Sequence, residues 1–90
     1  MENKDVKATI LSLIQSPLLK IEDCWRREYV EMLEVGEPFL ALECVEDWII
    51  DHDIEIGLDI MSAIDEVKEH FGGDHGRGNR IYIRNKLLKE

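Results

Sequence analysis

Ninety residues with a formal charge of -9 and 44% hydrophobic content fit one small, folded, acidic domain spanning residues 1–90, and leave no room for a second core. Such a balance excludes nucleic acid as a partner, because phosphate binding needs clustered Lys and Arg, and it disfavours anionic membrane surfaces. No stretch nears the ~20 apolar residues of a membrane span and Met1–Asp5 has no signal-peptide pattern, so the expected location is the cytoplasm.

In chain order, Val6, Ile10, Leu13 and Ile14 fall at helical spacing from Lys4 to Gln15, where Ser16-Pro17 stops the pattern. Leu18, Leu19 and Ile21 form an apolar connector. Asp23 is then the expected N-cap of a second helix carrying Trp25, Tyr29, Val30 and Leu33 inward, and Gly36 ends it. Pro38 suits the first turn of a third helix, Pro38 to Asp51, which the short turn makes an antiparallel neighbour of the second. Its inward residues are Phe39, Leu42, Val45, Trp48 and Ile49.

On the opposite face Glu43, Asp47 and Asp51 follow at i, i+4 and i+8, with Glu46 expected beside them. Residues 52–57 read as a loop. A fourth helix from Leu58 to about Phe71 carries Met61, Ile64 and Val67 inward, and glycine-rich residues 72–79 read as a flexible turn. For residues 80–90 a short helix is favoured over a strand, since a lone strand would have no partner. The fold class is therefore all-α: a compact bundle of four helices plus a short C-terminal helix.

Charge is unevenly placed along these elements. From Glu28 to Val67 there are thirteen carboxylates and no Lys or Arg, whereas five of the eleven bases fall within the last fourteen residues. Five bases cannot neutralise thirteen acids. The base-free stretch is also too apolar to be a solvated tail, so it predicts a fixed acidic face.

Other constellations carry less. Cys24 and Cys44 lack metal or disulfide spacing and read as reduced, half-buried residues. Asp51-His52-Asp53 with Glu55 fails as a calcium loop, because Ile56 and Ser62 stand where Gly and Glu belong. Residues 72–78 lack the phosphate-loop pattern, and no Ser or Thr sits on a nucleophile elbow, so no catalytic residue, metal or cofactor is assigned and no enzyme is expected. Trp25, Trp48 and Phe39 read as core; any of the three, if exposed beside the acids, becomes an interface anchor.

The run Glu34-Val35-Gly36-Glu37-Pro38-Phe39-Leu40-Ala41-Leu42-Glu43-Cys44-Val45-Glu46-Asp47-Trp48 resembles one in small immunity proteins of contact-dependent growth inhibition and MafI-type toxin systems, where it joins two antiparallel helices. The resemblance implies a cytoplasmic, non-catalytic protein that binds and neutralises the carboxy-terminal nuclease domain of a cognate toxin, often a ribonuclease and sometimes EndoU-like. A nuclease presents bases to phosphate, so an inhibitor gains from a matching acidic patch. The expected contacts are Glu43, Glu46, Asp47, Asp51, Asp53, Glu55 and Asp59. The competing reading is a small acidic helical adaptor or regulatory module that binds a basic protein.

Overall fold

A computed structural model describes residues 2–72 and 77–89. Within them the chain forms α1 (Asn3–Gln15), α2 (Asp23–Glu34), α3 (Pro38–Asp51), α4 (Leu58–His70) and α5 (Arg77–Tyr82), and α5 runs on into a π-helical turn, Ile83–Leu87. The described part is all-α, with no strand longer than one bridge residue.

α3 is the central element, packed against α1, α2, α5 and the π-turn. Its position follows from composition: Ala41, Leu42, Val45 and Ile49 are fully buried and Trp48 nearly so, giving one helix with enough apolar surface to serve four neighbours. Val6, Ile10 and Ile14 of α1, Leu33 of α2 and Met61, Ile64 and Val67 of α4 close around it. The Trp48 indole N–H donates to the Leu19 carbonyl at 2.8 Å. That bond pins the α1–α2 connector to α3.

Two helix ends set the geometry around α3. At the end of α2, Gly36 has φ 83°, the Glu37 amide donates to Met32 O and the Gly36 amide to Leu33 O. This is the Schellman pattern, with glycine taking the left-handed residue at no steric cost. At the end of α3 the same pattern recurs with Asp53 (φ 48°) in glycine's place, as Ile54 donates to Ile49 O and Asp53 to Ile50 O.

Four sequence expectations are corrected. Asp23 begins α2 instead of capping it; the capping position is Glu22, which makes no side-chain cap bond. Trp25 is not core: it is 49% exposed, stepped outward from the Tyr29 that α2 does bury. Cys24 on the same turn is exposed, while Cys44 is half-buried. The helical start at Arg77 takes Gly78 and Asn79 out of the expected turn, whose residues 73–76 lie outside the described residues.

The helix expected for residues 80–90 is present, and the alternation at Ile81–Arg84 does not form a strand. Helix runs to Leu87, after which Leu88 forms a parallel bridge with Ile56. Ile56 N donates to Leu87 O at 2.9 Å and Lys89 N to Ile56 O at 2.8 Å. A partner for the extended residue therefore exists in the α3–α4 loop.

Candidate functional site

The central helix divides its acids between two environments. Glu43 is half-buried, and Asp47 and Asp51 are exposed along one edge of α3. Glu46, expected beside them, is fully buried, and this is the main correction to the predicted contact set. It stands four residues after Leu42 and three before Ile49, on the apolar stripe, so the helix carries its carboxylate into the core.

There Lys68 of α4, also fully buried, places Nζ 2.9 Å from Glu46 Oε1. The contact is an ion pair by distance, but neither carboxylate oxygen accepts a well-aligned hydrogen bond from the described residues. The Lys68 ammonium also lies 4.8 Å from the centre of the Phe39 ring, and Phe39 meets Phe71 edge-on at 5.3 Å. The aromatic pair packs beside the buried charges.

Burial pushes the Glu46 carboxyl up to about 7; Lys68 pulls it down, and Glu43 and Asp47 add to the rise. The folded state thus holds a proton on Glu46 more tightly than the unfolded chain does. This contribution to stability is fully present below the ordinary carboxylate value of 4.5 and is lost as pH rises through about 7. Urea unfolding of the wild type and of Glu46→Gln at pH 5 and pH 8 is expected to show a stability difference that moves by on the order of 2 kcal/mol in that direction. A constant difference would contradict the burial of the carboxylate.

The exposed acids make a local negative field. Burial is the main cause that raises the Tyr29 hydroxyl, with Cys44, Asp47 and Asp51 adding to it. The Cys44 thiol is likewise raised by burial, then by Asp47 and Glu43. Tyr29 sits 6.4 Å, ring to ring, from the exposed Trp25. The buried Tyr29 thus lies between the exposed Trp25 and the acids of α3 that act on its hydroxyl.

Two bases of the chain end, Arg80 and Arg84, are engaged on α4. Arg80 reaches Glu69 at 3.2 Å and Asp65 at 3.6 Å, and Arg84 also pairs with Asp65. Asn79 donates to Asp47 at 3.1 Å. Lys89 lies 3.7 Å from Glu55, both exposed. Among the described residues Glu43, Asp47, Asp51, Asp53 and Asp59 form no ion pair.

The predicted contact residues consequently separate into groups. Glu43, Asp47 and Asp51 share α3's edge. Asp53 and Glu55 follow in the loop and line a groove of about 380 Å³ with Leu18, Lys20, Trp48, His52 and Ile54. Asp59 lies in the first turn of α4, its Oδ1 only 2.9 Å from where a Cβ on Gly57 would stand. That places it at the positive end of its own helix, where a carboxylate is stabilising. Lys68 and the groove-lining Lys20 escaped sequence reasoning; the signal for Lys68 was its place on α4's apolar stripe, four residues after Ile64.

Among the described residues no three His, Cys, Asp or Glu side chains are grouped to hold a metal ion, and no helix is long and apolar enough to cross a membrane. Neither a protein-family model, a curated protein nor a solved structure matches the chain.

Proposed function

We propose that this protein is an immunity protein that binds the basic nuclease domain of a cognate toxin, one to one and without catalysis, through the acidic edge of α3. The observation that carries the reading is the placement of exposed Asp47 and Asp51 and half-buried Glu43 along one edge of α3 with no ion pair among the described residues, while Arg80 and Arg84 are directed to α4. Like charges at i, i+4 cost a few tenths of a kcal/mol per pair in the free protein, and a basic partner turns that cost into attraction. The helical turn at Gly36–Pro38 agrees with the resemblance of the Glu34–Trp48 run to immunity proteins.

The contact set is Glu43, Asp47, Asp51 and Asp53, with Glu55 at its margin and the exposed Trp25 as the apolar anchor that a specific interface needs beyond charge. Glu46 is withdrawn from it, and Asp59 is assigned to its helix. Co-expression with the toxin reading frame beside the gene, followed by pull-down, is expected to recover a 1:1 complex with the toxin's carboxy-terminal domain. A gene with no toxin frame beside it, or no complex on co-expression, favours the adaptor reading instead.

A further inference from the structure

The buried Glu46–Lys68 pair joins α3 to α4, and α5 bridges the same two helices at the level of that pair. Asn79 donates to Asp47, the residue after Glu46, at 3.1 Å. Arg80 reaches Glu69, the residue after Lys68, at 3.2 Å, and Asp65, one turn before it, at 3.6 Å. Both helices are thus gripped beside their half of the pair.

That grip is light. None of the residues from Gly78 to Tyr82 is buried, with Ile81 47% and Tyr82 42% exposed, and polar contacts of this exposed kind hold weakly in water. Firm anchoring begins one residue later. Ile83 and Leu87 of the π-helical turn are buried, and the amides of Ile56 and Lys89 tie the chain beyond that turn to the α3–α4 loop. The boundary between lightly held helix and fixed turn therefore falls at Tyr82–Ile83, where α-helical winding gives way to π-helical winding.

We infer that α5 is a strap that swings off α3 and α4 about the Tyr82–Ile83 junction while the rest of the fold stays closed, admitting water to the Glu46–Lys68 pair, and that a proton on Glu46 keeps it shut. The groups around Glu46 give the sign. Lys68 faces it from α4, and Glu43 and Asp47 act along α3 itself. α5 brings Arg80 and the π-turn Arg84, both held by α4 carboxylates. The buried residues of α1 are apolar, and Tyr29 of α2, raised above its ordinary value by burial, keeps its proton near neutrality. With the strap closed, burial holds the Glu46 carboxyl up at about 7, whereas in water it returns toward 4.5. The closed state binds the proton more tightly, so opening becomes easier as pH rises from 4.5 and levels off above about 7.

Acetylation of the fully buried Lys68 reads the opening. Wild-type protein is treated briefly with sulfosuccinimidyl acetate, and mass spectrometry gives the labelling rate of Lys68 relative to that of the exposed Lys7, a ratio that cancels the reagent's own pH dependence. The ratio is expected to rise about tenfold from pH 6 to pH 8 and to stay level with pH in Glu46→Gln. Removing the strap's contacts, as Asn79→Ala with Arg80→Gln, should raise it by roughly three- to tenfold at either pH. Urea too dilute to unfold the protein should leave it nearly unchanged, because local opening exposes little surface.

A wild-type ratio that does not change with pH overturns the inference, as does a rise that survives in Glu46→Gln. Should Glu46→Gln fail to fold, two readings still decide. A ratio indifferent to the loss of Asn79 and Arg80 would mean that α5 does not guard the pair, and one that climbs with urea as steeply as global unfolding would mean that the pair is reached only when the whole domain opens.

Discussion

Replacing Lys68 by alanine is expected to cost about 3–5 kcal/mol at pH 8, because it leaves the fully buried Glu46 carboxylate without its cation. A domain's whole stability is about 5–15 kcal/mol, so the variant sits near its unfolding threshold. The loss should be smaller at pH 5, where Glu46, raised to about 7 by burial, is neutralised by a proton. Replacing both partners, as Glu46→Leu with Lys68→Met, should recover most of the loss or exceed the wild type, since paired apolar replacements remove both desolvation penalties. Urea unfolding of the three variants at the two pH values checks this. A single-variant cost below about 1 kcal/mol would mean the pair is reached by water.

Charge reversal at Glu43 and Asp47 together should lower the association rate with the toxin domain by at least an order of magnitude at low salt and leave dissociation nearly unchanged. Long-range steering acts on encounter, whereas an apolar anchor that becomes buried on binding, the role proposed for Trp25, acts on lifetime. The rate's dependence on ionic strength should flatten in parallel. Stability should stay within about 1 kcal/mol, because among the described residues the one bond broken is the exposed one from Asn79 to Asp47. Stopped-flow kinetics at several salt concentrations, with the same reversal at Glu28 and Glu31 of α2 as the comparison, reads the effect. If the α2 reversal slows binding and the α3 reversal does not, the interface lies on the second helix.

The helices were legible wherever local chemistry decided them. Pro38 at a first turn, Gly36 after the last turn of α2, and the four-residue spacing of Val6, Ile10 and Ile14 each act within a few residues, and α3 runs from Pro38 to Asp51 as expected. What stayed hidden depends on pairing across the chain. Glu46 on the α3 stripe and Lys68 on the α4 stripe each look like a misplaced charge, and only the packing of the two helices makes one explain the other.

Trp25 misled for the opposite reason. It sits four residues before Tyr29, on the expected apolar side, but at the first turn of α2, where the helix outruns the core that would cover it. The groove draws on Leu18 and Lys20 from one connector and Asp53–Glu55 from another, so no window of sequence contains it.

The bridge between Ile56 and Leu88 links the order of the acidic loop to the final turn of the chain. The loop amide at Ile56 and the amide at Lys89 are held by reciprocal bonds, so neither opens without freeing the other. Loop and terminus therefore behave as one cooperative unit. Any event that peels away the last residues also loosens the loop that carries Asp53 and Glu55, which makes the carboxy-terminal turn a remote control on the face proposed to meet the partner.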